Sequence, residues 1–170
     1  MCPDVSCQNR RSGWRSCPVY YEFLLSEINR SALLPYAVEQ IYEIVRDVPS
    51  YSSFLPWCES SRILSADSDS MVAELTVVMS GIQKSFTTRN SLFPTERIEL
   101  ELVSGPFKSL SGSWYFRTLG SEGCRVEMQL SFEVDSRIAG AMLSKVFERA
   151  ANTLVDAFSN RADELYGGNA

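Results

Sequence analysis

Over residues 137–166 apolar side chains recur at helical spacing, with no proline and no internal run of turn residues, which predicts one long amphipathic helix. Ile138, Met142, Val146 and Ala150 form one row of it, and Leu143, Phe147, Ala151, Leu154, Phe158, Ala162 and Leu165 form the neighbouring row. Ser144, Lys145, Glu148, Arg149, Asn152, Asp156, Asn160, Arg161 and Asp163 fall on the opposite, solvated face. Asp135-Ser136 supply candidate N-caps, and Gly167-Gly168 supply the stop. Roughly thirty residues at ~1.5 Å each span about 45 Å, too long for one strand to cover, so the apolar face must lie on a sheet.

The preceding chain reads as that sheet. A short strand at 27–34 ends at Pro35-Tyr36, after which Val38, Ile41, Tyr42, Val45 and Val48 recur at helical spacing up to Pro49. Residues 50–54 form a further helical turn leading into Leu55-Pro56-Trp57-Cys58. Strands then follow at 61–65, 71–79, 82–93, 97–103, 110–116 and 124–134, the last five alternating and joined by polar, Gly or Pro turns. Ile82, Phe86 and Leu92 share one parity with Lys84, Thr88 and Asn90, whereas 97–103 sets Ile98, Leu100 and Leu102 cleanly against Arg97, Glu99 and Glu101. This is an antiparallel meander with helix on one face, an α+β layout. A bent sheet wrapped round so long a helix leaves an apolar gap between them, a space suited to a small hydrophobic ligand.

Composition narrows the function more than the fold. The chain of 170 residues is 45% hydrophobic and 22% charged, and no apolar run approaches the roughly 18–20 residues of a membrane span. A net charge of −5 argues against holding nucleic acid by bulk electrostatics. No histidine is present, which removes the usual general base and the commonest metal ligand. Of five cysteines, Cys2, Cys7 and Cys17 lie near the start and Cys58 and Cys124 lie singly in the body, where they read as buried small apolar residues. The odd count and the lack of any CxxC point to reduced thiols in the cytoplasm. Residues 1–26, unlike the remainder in composition, read as a disordered extension, and 27–167 as one domain.

Three segments carry a resemblance. Arg30-Ser31-Ala32-Leu33-Leu34-Pro35-Tyr36, the stretch from Asp47-Val48 through Tyr51 to Phe54-Leu55-Pro56-Trp57-Cys58, and Gly105-Pro106-Phe107-Lys108 with Leu110, Gly112, Trp114 and Phe116 resemble the signature segments of the coenzyme Q-binding START family. The element order resembles the helix-grip fold of START-like domains, a curved antiparallel sheet wrapped around a long C-terminal helix. The match covers about residues 29–166, and Ser85-Phe86-Thr87-Thr88-Arg89-Asn90 is closer to the bacterial ribosome association toxins than to the mitochondrial ubiquinone-binding branch. The resemblance implies non-enzymatic binding of ubiquinone or a similar isoprenoid lipid, with no covalent cofactor, in support of respiratory electron transfer. The alternative it implies is a toxin that binds the large ribosomal subunit and blocks subunit joining. Cytoplasmic location is expected, with peripheral contact at the inner membrane if the ligand is a quinone.

On that basis Phe54, Trp57, Phe86, Phe107, Trp114 and Phe147, with Leu55 and Leu143, are the candidate ligand-binding residues. Gly105-Pro106-Phe107-Lys108 reads either as a gate, with Lys108 toward a quinone oxygen or lipid phosphate, or as a plain turn. Phe54-Leu55-Pro56-Trp57 offers the same choice between a lip and a closing lid. Lys84, Arg89, Lys108, Arg117 and Arg125 are scattered among acidic residues and read as a solvated face rather than an RNA-binding patch. An enzyme of the cyclase type would have to use groups such as Asp47 or Glu74, and no spacing pairs two carboxylates convincingly.

Overall fold

The computed structural model describes residues 25–121, 123–134 and 140–169. Most of the 1–26 extension and the Asp135-Ser136 caps lie outside the described residues. The elements run β1 (Leu25–Leu34), α1 (Val38–Arg46), a 3-10 turn (Val48–Ser50), α2 (Tyr51–Phe54), β2 (Cys58–Ala66), β3 (Ser70–Met79), β4 (Ile82–Phe93), β5 (Arg97–Ser104), β6 (Phe107–Leu119), β7 (Gly123–Val134), α3 (Gly140–Asn152) and α4 (Leu154–Tyr166). β1 therefore starts at Leu25, two residues inside the expected extension, and Ser26 Oγ lies 3.4 Å from Ser144 Oγ on α3.

All seven strands form one antiparallel sheet in the order β1-β7-β6-β5-β4-β3-β2. β2 to β7 make the expected meander, and β1 crosses to pair with the last strand, Ile28 opposite Leu130. Register shifts in β2, at Thr87/Thr88 in β4 and at Phe107/Ser109 in β6 bend the sheet, because an extra residue on one side of a ladder curves that strand. The helices lie on the concave face. Ile28, Ala73, Ile98, Val126, Met128 and Phe132 point inward from the sheet and meet Val38, Ile41 and Val45 of α1 and Leu143, Ala151, Val155 and Ala162 of the C-terminal helices.

The long helix is two helices. Thr153 Oγ1 donates back to the Ala150 carbonyl at 2.8 Å, and the Thr153 N–H reaches the same carbonyl at 3.1 Å. This local, three-residue bonding by a β-branched hydroxyl residue replaces the α-helical step and separates α3 from α4. Helical spacing alone therefore assigns some faces wrongly. Met142 and Leu165, expected inside, are 63% and 48% exposed, and Ser144, expected outside, is buried beneath β1.

Asp47 is where α1 ends. Its N–H bonds the Glu43 carbonyl at 3.0 Å, and its carboxylate accepts from Ser50 Oγ at the start of the 3-10 turn. Glu74 points to the convex face and pairs with Arg62 at 2.6 Å. Neither carboxylate lines the interior, so the acid or base role considered for them has no support from their placement.

Candidate functional site

Between the concave sheet and α3–α4 lies a cavity of about 110 Å³. Tyr51 and Trp57 reach it from the α1–β2 region, and Phe86, Thr88, Asn90, Ile98, Leu100, Trp114, Leu130 and Phe132 reach it from the sheet. Phe147, Ala150 and Ala151 of α3 and Leu154 and Phe158 of α4 cover it. The lining contains no Asp, Glu, Lys or Arg. Its free space is well under the roughly 300–1,000 Å³ of pockets that enclose a drug-sized molecule.

Aromatic rings occupy much of the remaining interior. Phe107 and Phe147 stack edge to face with centroids 4.4 Å apart, and Phe86 joins them at 5.5 and 5.6 Å. At the other side Phe158 holds Tyr51 and Trp114, each at 5.1 Å. Such tilted, edge-on pairs are the favoured geometry for rings carrying a quadrupole.

Gly105 sets the position of Phe86. Its φ of +149° is a backbone state that side-chain-bearing residues avoid, and a Cβ there would stand 2.6 Å from Phe86 Cβ. The Gly105 turn is therefore packed directly against the cavity wall.

Of the ten candidate residues, the structure brings five together around the cavity: Trp57, Phe86, Phe107, Trp114 and Phe147. Leu55 and Leu143, 1% and 0% exposed, belong to the solid core. Pro106 is buried within its turn and is not part of the lining. Phe54 packs against Tyr51 and Phe158 and faces a separate outer groove, where the Arg161 guanidinium lies 5.6 Å from its ring centroid. Lys108 sits at the β6 bulge with its ammonium 2.7 Å from Glu133 on β7, and it is not among the lining residues. An approach of Lys108 to a ligand oxygen would have to break that pair.

Among the lining residues outside those ten candidates, Thr88 and Asn90 are the polar ones that the sheet supplies. Their shared parity with Phe86 and Leu92 was the available signal, because alternation places all four on one face of β4. Tyr51 Oη donates to the Val45 carbonyl, and burial pushes its phenol far above the ordinary range, with the Asp47 carboxylate adding to the effect. Cys58 and Cys124 are buried free thiols, each pushed up chiefly by desolvation. Among the described residues no cluster of His, Cys, Asp and Glu could hold a metal ion, and no helix is long and apolar enough to cross a membrane.

A curved seven-stranded sheet gripping a C-terminal helical segment over an apolar cavity is the helix-grip architecture of START-like domains. Residues 34–159 match the family described as polyketide cyclase / dehydrase and lipid transport, and the chain belongs to that family. It is 44% identical to the ribosome association toxin RatA of Pseudomonas aeruginosa over 142 residues, 84% of this chain and 99% of that protein. It is 30% identical to the mitochondrial coenzyme Q-binding protein COQ10 homolog B of Xenopus laevis over 146 residues, 83% of this chain and 59% of that protein. The crystal structure of the Zhui aromatase/cyclase from Streptomyces superposes with a TM-score of 0.74 at 20% identity, covering 86% of this chain and 99% of that one, and shows the common fold. The family and its structural neighbours thus include cyclases as well as proteins named for binding or toxicity. A generic START-like role toward a hydrophobic ligand follows from the family.

Proposed function

We propose that this chain acts by associating with the ribosome, at the large subunit, and interferes with subunit joining. The observation that carries the reading is the 44% identity along 99% of a protein named as a ribosome association toxin. The interior supports it, since about 110 Å³ does not accommodate a ring and an isoprenoid tail while the Phe86–Phe107–Phe147 cluster stays closed. The absence of carboxylates and cations from the lining favours a binding protein over an enzyme. A net charge of −5 makes local surface complementarity, rather than bulk attraction to RNA, the basis of the contact.

The test is sedimentation of the purified chain with separated ribosomal subunits through sucrose gradients. Co-migration with the large subunit and a fall in joined particles is the expected result. Protein that stays at the top of the gradient while the subunits join normally refutes the reading.

A second reading, binding of ubiquinone without changing it, is favoured by the relationship to the coenzyme Q-binding protein and by the aromatic lining. Mass spectrometry of the organic extract of protein purified without detergent tests it. Stoichiometric quinone supports this reading, and none from folded protein rejects it.

A further inference from the structure

The cavity is apolar except for a few groups, and the unpaired ones are donors. Thr88 and Asn90, 4% and 9% exposed, stand side by side on the concave face of β4, where Thr88 Oγ1 donates to Asn90 Oδ1 at 2.9 Å. That bond occupies the amide oxygen and leaves Asn90 Nδ2. Trp114, 5% exposed, lines the same cavity from β6. Asn90 shares a cross-strand row with Leu100 and Gly112, and Trp114 is the next inward position along β6. Gly112 has no side chain to fill that row, and a Cβ there would meet the Gln129 carbonyl at 2.7 Å.

Neither Asn90 Nδ2 nor Trp114 Nε1 has a protein acceptor among the described residues. No sealed side-chain nitrogen or oxygen among them lacks a partner, so both nitrogens keep some accessible surface, and the cavity is a space that both residues line. The other polar groups of the lining are already committed. Tyr51 Oη donates to the Val45 carbonyl, and Trp57 Nε1 donates to Thr153 Oγ1 at 3.1 Å. An amide donor left unpaired in apolar surroundings lowers stability, and a Leu or Val at position 90 would avoid that loss.

We infer that Asn90 Nδ2 and Trp114 Nε1 form an anchor for a carbonyl oxygen, so that the cavity selects a compact cyclic carbonyl compound over a hydrocarbon of the same shape. Thr88 is the positioning residue, because its hydroxyl holds the amide oxygen and turns the nitrogen toward the ligand. Size limits the class: an apolar cavity of about 150 Å³ admits benzene, so about 110 Å³ here leaves room for nothing larger than one small ring. The inference rests on the cavity being a ligand site and is independent of ribosome association.

The experiment uses cyclohexanone and methylenecyclohexane, which differ in shape only by =O against =CH2. Affinities are measured by NMR titration of the full chain, following the Trp114 indole N–H and Asn90 side-chain amide signals. The expected result is that cyclohexanone moves both signals downfield and methylenecyclohexane does not. In Asn90→Leu the affinity ratio of ketone to hydrocarbon falls by about ten-fold, as the loss of a buried hydrogen bond implies. Cyclohexanone binding without movement of either signal, or an unchanged ratio in Asn90→Leu, overturns the anchor while leaving the cavity as a ligand site. Failure of both compounds to bind at millimolar concentration overturns the anchor and the ligand site together. Should Asn90→Leu not fold, Trp114→Phe carries the same ratio test, and the wild-type signals decide without any variant.

Discussion

Trp57 Nε1 donates to Thr153 Oγ1 at 3.1 Å, which joins the segment after α2 to the break between α3 and α4. The same oxygen also bonds the Ala150 carbonyl, so one hydroxyl both interrupts the helix and fastens the interruption to the sheet side of the molecule.

Thr153→Val keeps the shape of the side chain and removes both bonds. Stability should fall by about 1–3 kcal/mol, the cost of leaving the indole N–H of the buried Trp57 without its acceptor. Urea denaturation should show a lower midpoint with an unchanged slope, as expected when the folded surface is preserved.

Gly105→Ala should destabilise more than Gly120→Ala. Both glycines have positive φ, +149° and +61°, but an added Cβ at Gly105 meets Phe86 at 2.6 Å while Gly120 has open space. Backbone strain of roughly 1–3 kcal/mol applies to both. The clash adds to it only at Gly105, and paired denaturation curves of the two variants measure the difference.

Phe147→Ala removes the ring nearest to Phe107, at 4.4 Å, and merges its volume with the cavity. The expected loss is about 3–5 kcal/mol, typical of a buried aromatic truncated to Ala. If the folded variant takes up a bulkier apolar dye than the wild type does, the aromatic cluster limits what the cavity admits. Equal uptake would show that the limit lies elsewhere.

The Tyr51 phenol makes stability depend on pH at the alkaline end. Its pKa in the folded chain is raised by burial above the unfolded value near 10, so the neutral form is the one the fold retains. Its contribution is complete below about pH 10 and declines as pH rises beyond that, because the unfolded chain releases the proton first. Tyr51→Phe should cost about 1 kcal/mol at neutral pH through loss of the bond to the Val45 carbonyl. It should also show a shallower alkaline decline, so melting temperatures of the two proteins across pH 7–11 should converge.

The α+β class, the meander and the C-terminal apolar face were all readable in the chain, because alternation and helical spacing are local consequences of burying one side of each element. Trp57, Phe86, Phe107, Trp114 and Phe147 could be selected as cavity residues on the same grounds and by resemblance. The break at Thr153 was not readable from apolar spacing, since it comes from a hydroxyl turning back on its own helix and meeting an indole 96 residues away in sequence. The choice between a gate and a plain turn at Lys108 stayed open in the sequence, because nothing local shows that a bulge sets it beside Glu133. Thr88 and Asn90 had the parity of the core, yet whether a polar side chain on that face meets protein, solvent or an enclosed space depends on what the other strands and helices place opposite it. Alternation in the sequence by itself determined which residues of the strands turn inward, while Met142, Ser144 and Leu165 show that helical spacing did not do the same for every residue of the C-terminal helices. Only the packed tertiary structure decided which of those inward groups fill the core and which border the cavity left open, because that depends on side chains meeting across distant elements.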